Sequence, residues 1–219
     1  KTKIDSITFQ IQTNDYYDNT RPFRRKLSEN YYDTAIKIVN SANKNFGIAI
    51  AEPSEVQFWI EKRINFWKIL GADFYNEDLI QKVHSSKKLV YLSTSISSMK
   101  EIEEANNRYP NINYVHTTLD REPDKANIRA ITSMRSVVGD KVAFGLHNED
   151  PYLVDLAIAC GARTIFFYIR EDDGEYYPDY EHALILNKID EYLVRWKRVE
   201  KLLGSGEKTK LTVPEWALE

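Results

Sequence analysis

The residues able to do chemistry gather at the ends of short apolar runs: Gln10, Glu52, Asp73, Thr94, His116, His147, Asn148, Glu149 and Arg170. Imidazoles and carboxylates on one rim could bind a hard divalent cation or move protons near neutral pH, where histidine titrates. His116 and His147 are two of only four histidines in the chain. With Glu149 they form the candidate catalytic set, and His147 and Glu149 are also the candidate metal ligands. The same groups could instead hydrogen-bond loop backbones, as polar residues at strand ends often do. Tyr176 to Tyr180 offers aromatic faces for a sugar, or an ordered turn. Arg24-Arg25-Lys26 could hold a phosphate or carboxylate, or be a solvated loop.

Such residues need a scaffold that brings strand ends together. β-branched and aromatic runs recur at 7–11, 47–51, 67–70, 89–92, 112–115, 142–146 and 164–168. Most are continuous rather than alternating, the pattern of parallel strands covered on both faces. Between them lie helical patterns. Ser98-Met99-Lys100-Glu101 has capping-box spacing, and Asn187 to Leu203 is amphipathic with Gly204 as a natural stop. Tyr152 to Cys160 is also helical in pattern. Strands alternating with helices imply right-handed βαβ units. Seven such strands predict an α/β fold of the (β/α) TIM-barrel type, whose chemistry sits at the C-terminal strand ends. No Gly-rich phosphate fingerprint follows the first strand, which argues against a dinucleotide-binding sheet. The polar, aromatic stretch from Tyr16 to Arg25 is expected to be a loop over that face.

The chain has 219 residues, 42% of them hydrophobic, enough for one barrel domain. A net charge of −3, from 30 basic and 33 acidic residues, offers no basic excess for nucleic acid. The single cysteine, Cys160, excludes an internal disulfide and suits a buried helix position. No apolar run approaches the roughly 18 residues that span a bilayer, so no membrane partner and a cytoplasmic location are expected.

Several segments, in one collinear order, resemble the sialic acid synthase family. Lys88-Leu89-Val90-Tyr91-Leu92-Ser93-Thr94-Ser95, followed by Met99 to Ala105, resembles that family's "KPVILSTGMATLEEIEEA". Trp67-Lys68-Ile69-Leu70-Gly71-Ala72-Asp73 resembles "YKIASGD", Asn127 to Ile131 resembles "NLRAI", and Gly145 to Glu149 stands where "GLSDH" is expected. Gly161 to Ile165 resembles "GATVI", and Pro178-Asp179 resembles "GPD". The resemblance implies condensation of phosphoenolpyruvate with an N-acylated mannosamine-type sugar, assisted by a divalent manganese or magnesium ion. It places Gln10, Asp73, Lys88, Ser93 and Asp179 at substrate-binding positions.

The match departs from the family at its chemistry. The two metal-histidine positions are Glu149 and Tyr168, a serine position is His147, and a phosphate-side lysine is Thr8. Thr118 and Asp120 replace an asparagine or serine and a tyrosine. The resemblance also implies a first β/α unit preceding residue 1, an antifreeze-like domain following residue 219, and a homodimer. Residues 1–219 then read as a single barrel domain lacking both pieces. Two functions fit. One is a diverged barrel that binds a sugar, a phosphoenolpyruvate-like ligand or a partner, with the condensation lost or altered. The other is an active synthase-like enzyme using His116, His147 and Glu149 in a rebuilt site.

Overall fold

The computed structural model describes residues 3–17, 24–176, 179–208 and 210. Seven strands form one parallel sheet in sequence order: β1 (Ser6–Ile11), β2 (Asn45–Ile50), β3 (Phe66–Ile69), β4 (Leu89–Ser93), β5 (Ile112–His116), β6 (Val142–Gly145) and β7 (Thr164–Phe166). Between and after them come α1 (Glu29–Ser41), α2 (Val56–Glu61), α3 (Glu77–Ser85), α4 (Met99–Arg108), α5 (Ala130–Val138), α6 (Tyr152–Ala159) and α7 (Ile189–Leu203). Two further short strands, β8 (Ile169–Arg170) and β9 (Leu184–Ile185), pair with each other beyond β7. The result is a curled parallel sheet of TIM-barrel type. No helix among the described residues is long and apolar enough to cross a membrane.

Helix boundaries follow local chemistry. The capping box on α4 is complete, with Ser98 and Glu101 bonding each other's backbone N–H. The Asn76 side chain accepts from Leu79 N at the start of α3, and Gly204 ends α7 at a φ of 65°. The helices α1, α2, α3 and α5 are not placed by the sequence reading, although α3 has an Asn N-cap and is as amphipathic as α4. The expected loop at Tyr16 to Arg25 lies partly outside the described residues. What is described holds a short 3-10 turn at Asn14–Tyr16 and a hydrogen bond from Gln12 N to the Tyr17 hydroxyl.

Strand alternation splits the side chains between two environments. Ile48, Ile50, Trp67, Ile69, Val90, Leu92, Ile112, Tyr114, Val142 and Phe144 join the apolar layer beneath the helices. Within that layer the Trp67 indole N–H donates to Ser86 Oγ at 3.0 Å, which satisfies its only polar atom. The alternate residues point into the barrel. There Phe66, Tyr91 and Phe166 meet, with ring centroids 5.9 Å apart for Phe66–Tyr91 and 5.0 Å for Tyr91–Phe166. The Tyr91 and Thr164 hydroxyls also approach to 3.4 Å. Since these residues sit on β3, β4 and β7, the contacts show how far the sheet curls. Among the described residues β1 and β7 do not pair, and a cavity of about 1180 Å³ runs between them.

Gly47 explains how the aromatic plug fits. It lies directly beside Phe66 in the β2–β3 register, and a Cβ there would stand 2.2 Å from the Phe66 ring. The ring is itself held by Tyr91, so it cannot swing aside without opening the plug. Gly47→Ala is expected to destabilise the fold by about 1–3 kcal/mol, the usual range for overpacking a core. Chemical denaturation would show this as a lower midpoint at unchanged slope.

Candidate functional site

The inward-facing residues become polar above the plug. Lys68, two residues beyond Phe66 on β3, places Nζ 4.8 Å from the Phe166 ring centroid and 6.0 Å from that of Tyr168. It lines the cavity with Thr8, Gln10 and Tyr168. Among the described residues it makes no ion pair or hydrogen bond. Burial against these rings lowers its pKa to about 8, opposed only in part by the charge of Asp179.

Beside Lys68 stands an imidazole pair. The His147 and His182 rings stack at 4.6 Å between centroids, 24° from parallel. His147 Nε2 lies 3.2 Å from the Tyr168 hydroxyl, and the Tyr168 ring meets His182 edge-on at 4.9 Å. Asp179 Oδ1 is 3.6 Å from His182 Nε2, outside hydrogen-bond reach. His182 is only 2% exposed, yet both its ring nitrogens lack a partner among the described residues.

Desolvation, aided by the neighbouring His182 and Lys68, drops the His147 pKa to about 4. Burial also lowers His182, against the pull of Asp179. It lifts the Tyr168 phenol to about 12. At neutral pH the two imidazoles and the phenol are therefore uncharged. Proton placement follows tautomer choice: the phenol donates to Nε2 when His147 carries its proton on Nδ1.

Several anticipated residues belong to this cluster and others stand apart. His147 and Asp179 are in it, and Gln10 faces the same cavity from β1. Pro178, the neighbour of Asp179 in the sequence motif, lies outside the described residues. His116 does not join. It has the outward parity of Ile112 and Tyr114, and its Nε2 is 2.9 Å from the Ala126 carbonyl, where it secures the loop before α5. Lys88 precedes β4 at its N-terminal end, opposite the mouth. Asp73 sits in the 3-10 turn after β3, where burial raises its pKa and Asn76 Nδ2 donates to it at 3.3 Å. Ser93 ends β4, buried and facing inward. Glu149 is exposed beyond β6.

Two other rim residues serve structure. Asn148 Nδ2 donates to the carbonyls of Asp120 and Glu122 at 2.9 and 3.1 Å. Asp120 is committed to the Glu122 N–H and to Lys125.

Two members of the cluster escaped the sequence reading. Lys68 was discoverable as a charge inside the otherwise apolar run Phe66 to Leu70, which a strand covered on both faces does not carry without purpose. His182 carries no such local signal, because only the return of the chain at β9 brings it against His147.

The residues present do not fit a resident divalent metal. No group of three or more histidine, cysteine or acidic side chains among the described residues converges on one point. His147 and His182 present ring faces to each other, His147 Nε2 is taken by Tyr168, and Glu149 points to solvent. The expectation that His147 and Glu149 ligate manganese or magnesium together therefore has no geometric support among the described residues.

Residues 2–208 match the model of the NeuB family. The chain belongs to the NeuB family. It is 24% identical over 157 residues to the N,N'-diacetyllegionaminic acid synthase of Campylobacter jejuni, covering 68% of this chain and 47% of that protein. It is 29% identical over 149 residues to an uncharacterized protein of Methanocaldococcus jannaschii, covering 65% of this chain and 44% of the other. The chain thus spans about half the length of the curated relatives it matches. A sialic acid synthetase from Leptospira borgpetersenii, solved with citrate, superposes with a TM-score of 0.88 at 19% identity, over 95% of this chain and 78% of that one. The spore coat polysaccharide biosynthesis protein spsE of Bacillus subtilis superposes at 0.82 and 17% identity, over 99% and 64%. These likenesses establish the NeuB barrel.

Two linkage predictions follow from the shifted groups. Lys68 is held below its ordinary 10.5, so its charge costs stability below pH 8, and the cost fades as pH rises toward 10.5. Lys68→Met is expected to stabilise the protein by roughly 1–2 kcal/mol at neutral pH, discounted for solvent in the cavity. Thermal melts should show the gain shrinking across that window. His147 acts at the other end. Its contribution is fully present above pH 6.5 and is lost as pH falls toward 4. Replacing it in His147→Gln should flatten the acid limb of the melting profile, again by roughly 1–2 kcal/mol.

Proposed function

We propose that this NeuB-family chain binds a small ligand bearing both acidic and hydroxyl groups at its barrel mouth, with the phosphoenolpyruvate-dependent sugar condensation lost or altered. The observation that carries this reading is Lys68, a lysine lining the cavity with no ion-pair partner among the described residues. The Phe166 and Tyr168 ring faces compensate the desolvated ammonium only in part, and an anionic ligand would complete that compensation. A phosphoenolpyruvate-like carboxylate or phosphate suits it. Around it Gln10, Asp179 and the His147–Tyr168 pair supply donors and acceptors for sugar hydroxyls.

Altered chemistry follows from the rim. Thr8 offers no charge to a phosphate, and the candidate metal ligands do not converge among the described residues. We further propose that the edges of β1 and β7, which do not pair among the described residues, are bridged by a strand from outside residues 3–208. That strand fills part of the gap and leaves the ligand the end lined by Gln10, Lys68 and Tyr168.

The test combines thermal shift with phosphate release, using phosphoenolpyruvate and N-acetylmannosamine with and without manganese. At a ligand excess of about 100 times Kd, binding should raise Tm by about 5–10 °C. The phosphoenolpyruvate shift should vanish in Lys68→Met, and phosphate release should stay at the blank rate. No shift with either compound would sink the binding reading. Phosphate release that is abolished by His147→Gln would replace it with an active synthase whose acid–base set has been rebuilt.

A further inference from the structure

We propose that the stack of Arg170, Tyr180 and Tyr176 beside the barrel mouth is a sugar-binding platform that takes a neutral pyranose ring through its C–H face. It is a second site, outside the cavity that Lys68 lines, and it takes a ligand of different charge.

Tyr180 is the shared member of the stack. The Arg170 guanidinium carbon lies 3.9 Å from its ring centroid, and the Tyr176 ring stacks on it at 5.5 Å, 24° from parallel. The Arg170 side chain is only 13% exposed, so the base of the stack is fixed. Tyr176, in contrast, is 61% exposed. Its hydroxyl donates to Glu181 Oε1 at 3.0 Å, and Arg121 pairs with Glu181 Oε2 at 3.0 Å. A ring contact and a hydrogen bond thus hold in place a tyrosine that stays mostly in water. Ordering an exposed aromatic costs side-chain entropy, a cost that a ligand docking on it does not meet again. The loop is already closed without that ring: Ala183 N donates to the Asp179 carbonyl at 3.0 Å, and Glu175 N to Asp173 Oδ1 at 3.0 Å.

The surroundings select the ligand. Residues 171–175, Glu-Asp-Asp-Gly-Glu, lead into Tyr176 and are all exposed. A protein partner would want a contiguous apolar patch, which this charged run interrupts, and an anion would meet its carboxylates. A neutral pyranose with equatorial hydroxyls has the matching surface. Its axial C–H bonds form a small apolar face for the Tyr176 ring. The hydroxyls at its edge can accept from Arg121, whose side chain is 53% exposed and has N–H groups beyond the one that meets Glu181.

The experiment is saturation-transfer difference NMR on the purified protein with methyl β-D-glucopyranoside. D-sorbitol, which carries the hydroxyls but has no ring face, is the control. The expected result is uneven saturation of the glucoside, strongest on the axial protons of one face, and none on sorbitol. Tyr176→Phe keeps the ring and should keep that pattern. Tyr176→Ala should weaken binding by about tenfold, as removal of one aromatic contact implies. Because Tyr176 is exposed, this variant should melt with the parent, and its thermal shift with phosphoenolpyruvate should be unchanged. Excess phosphoenolpyruvate should not displace the glucoside. No saturation, even saturation of all ring protons, or undiminished binding in Tyr176→Ala overturns the proposal. Displacement by phosphoenolpyruvate also overturns it and assigns the sugar to the mouth, so the two sites fail separately.

Discussion

The contact among Phe66, Tyr91 and Phe166 governs the rest of this molecule. A parallel sheet must cover both faces. Here the helices cover the outer face, and these rings fill the inner one. Because they come from β3, β4 and β7, their packing fixes the curl that brings distant strand ends into one mouth. Gly47 makes room for the plug, and Lys68 rests on it. The same rings that hold the barrel in shape therefore create the low-dielectric floor that destabilises the lysine charge.

Electrostatics at the mouth follow from that floor. Lys68, His147, His182 and Tyr168 all shift toward their neutral forms, and in each case burial is the largest cause. Asp179 partly offsets this for Lys68 and His182. The site thus stores unfavourable free energy that a ligand with complementary charge and hydroxyls can relieve. At Lys68 the fold alone disfavours the charge, because burial there is compensated only in part by Asp179.

Membership of the NeuB family coexists with a changed rim. Glu149 and Tyr168 stand where the resemblance places metal histidines, and nothing among the described residues rebuilds a convergent ligand set around His147. What replaces it is a neutral network in which His147 bonds Tyr168 and stacks on His182. Such a network is suited to directing hydrogen bonds, whereas polarising a carbonyl as a metal does would require a concentrated positive charge.

The sequence by itself determined what depends on local or periodic information. Strand positions followed from continuous apolar runs, α4 from its capping box, the end of α7 from Gly204, and the family from motifs in collinear order. It left α1, α2, α3 and α5 unplaced. Of these, α1, α3 and α5 are about as amphipathic as α4 and α7, but none has the full capping box of α4, and α1 and α3 lack the terminal glycine of α7. The site was only half legible for a related reason. Residue type at a strand end marked His147 and the family resemblance marked Asp179, yet His116 looked equivalent to His147 until strand parity sent it outward to the Ala126 carbonyl. Lys88 and Lys68 likewise differ in where the strand holds them, one at the N-terminal end of β4 and one inside the barrel. His182 was invisible because its neighbours are remote in sequence. Only the tertiary structure decides such matters, since burial, ring stacking and the lack of a counter-ion among the described residues depend on which side chains meet across the barrel.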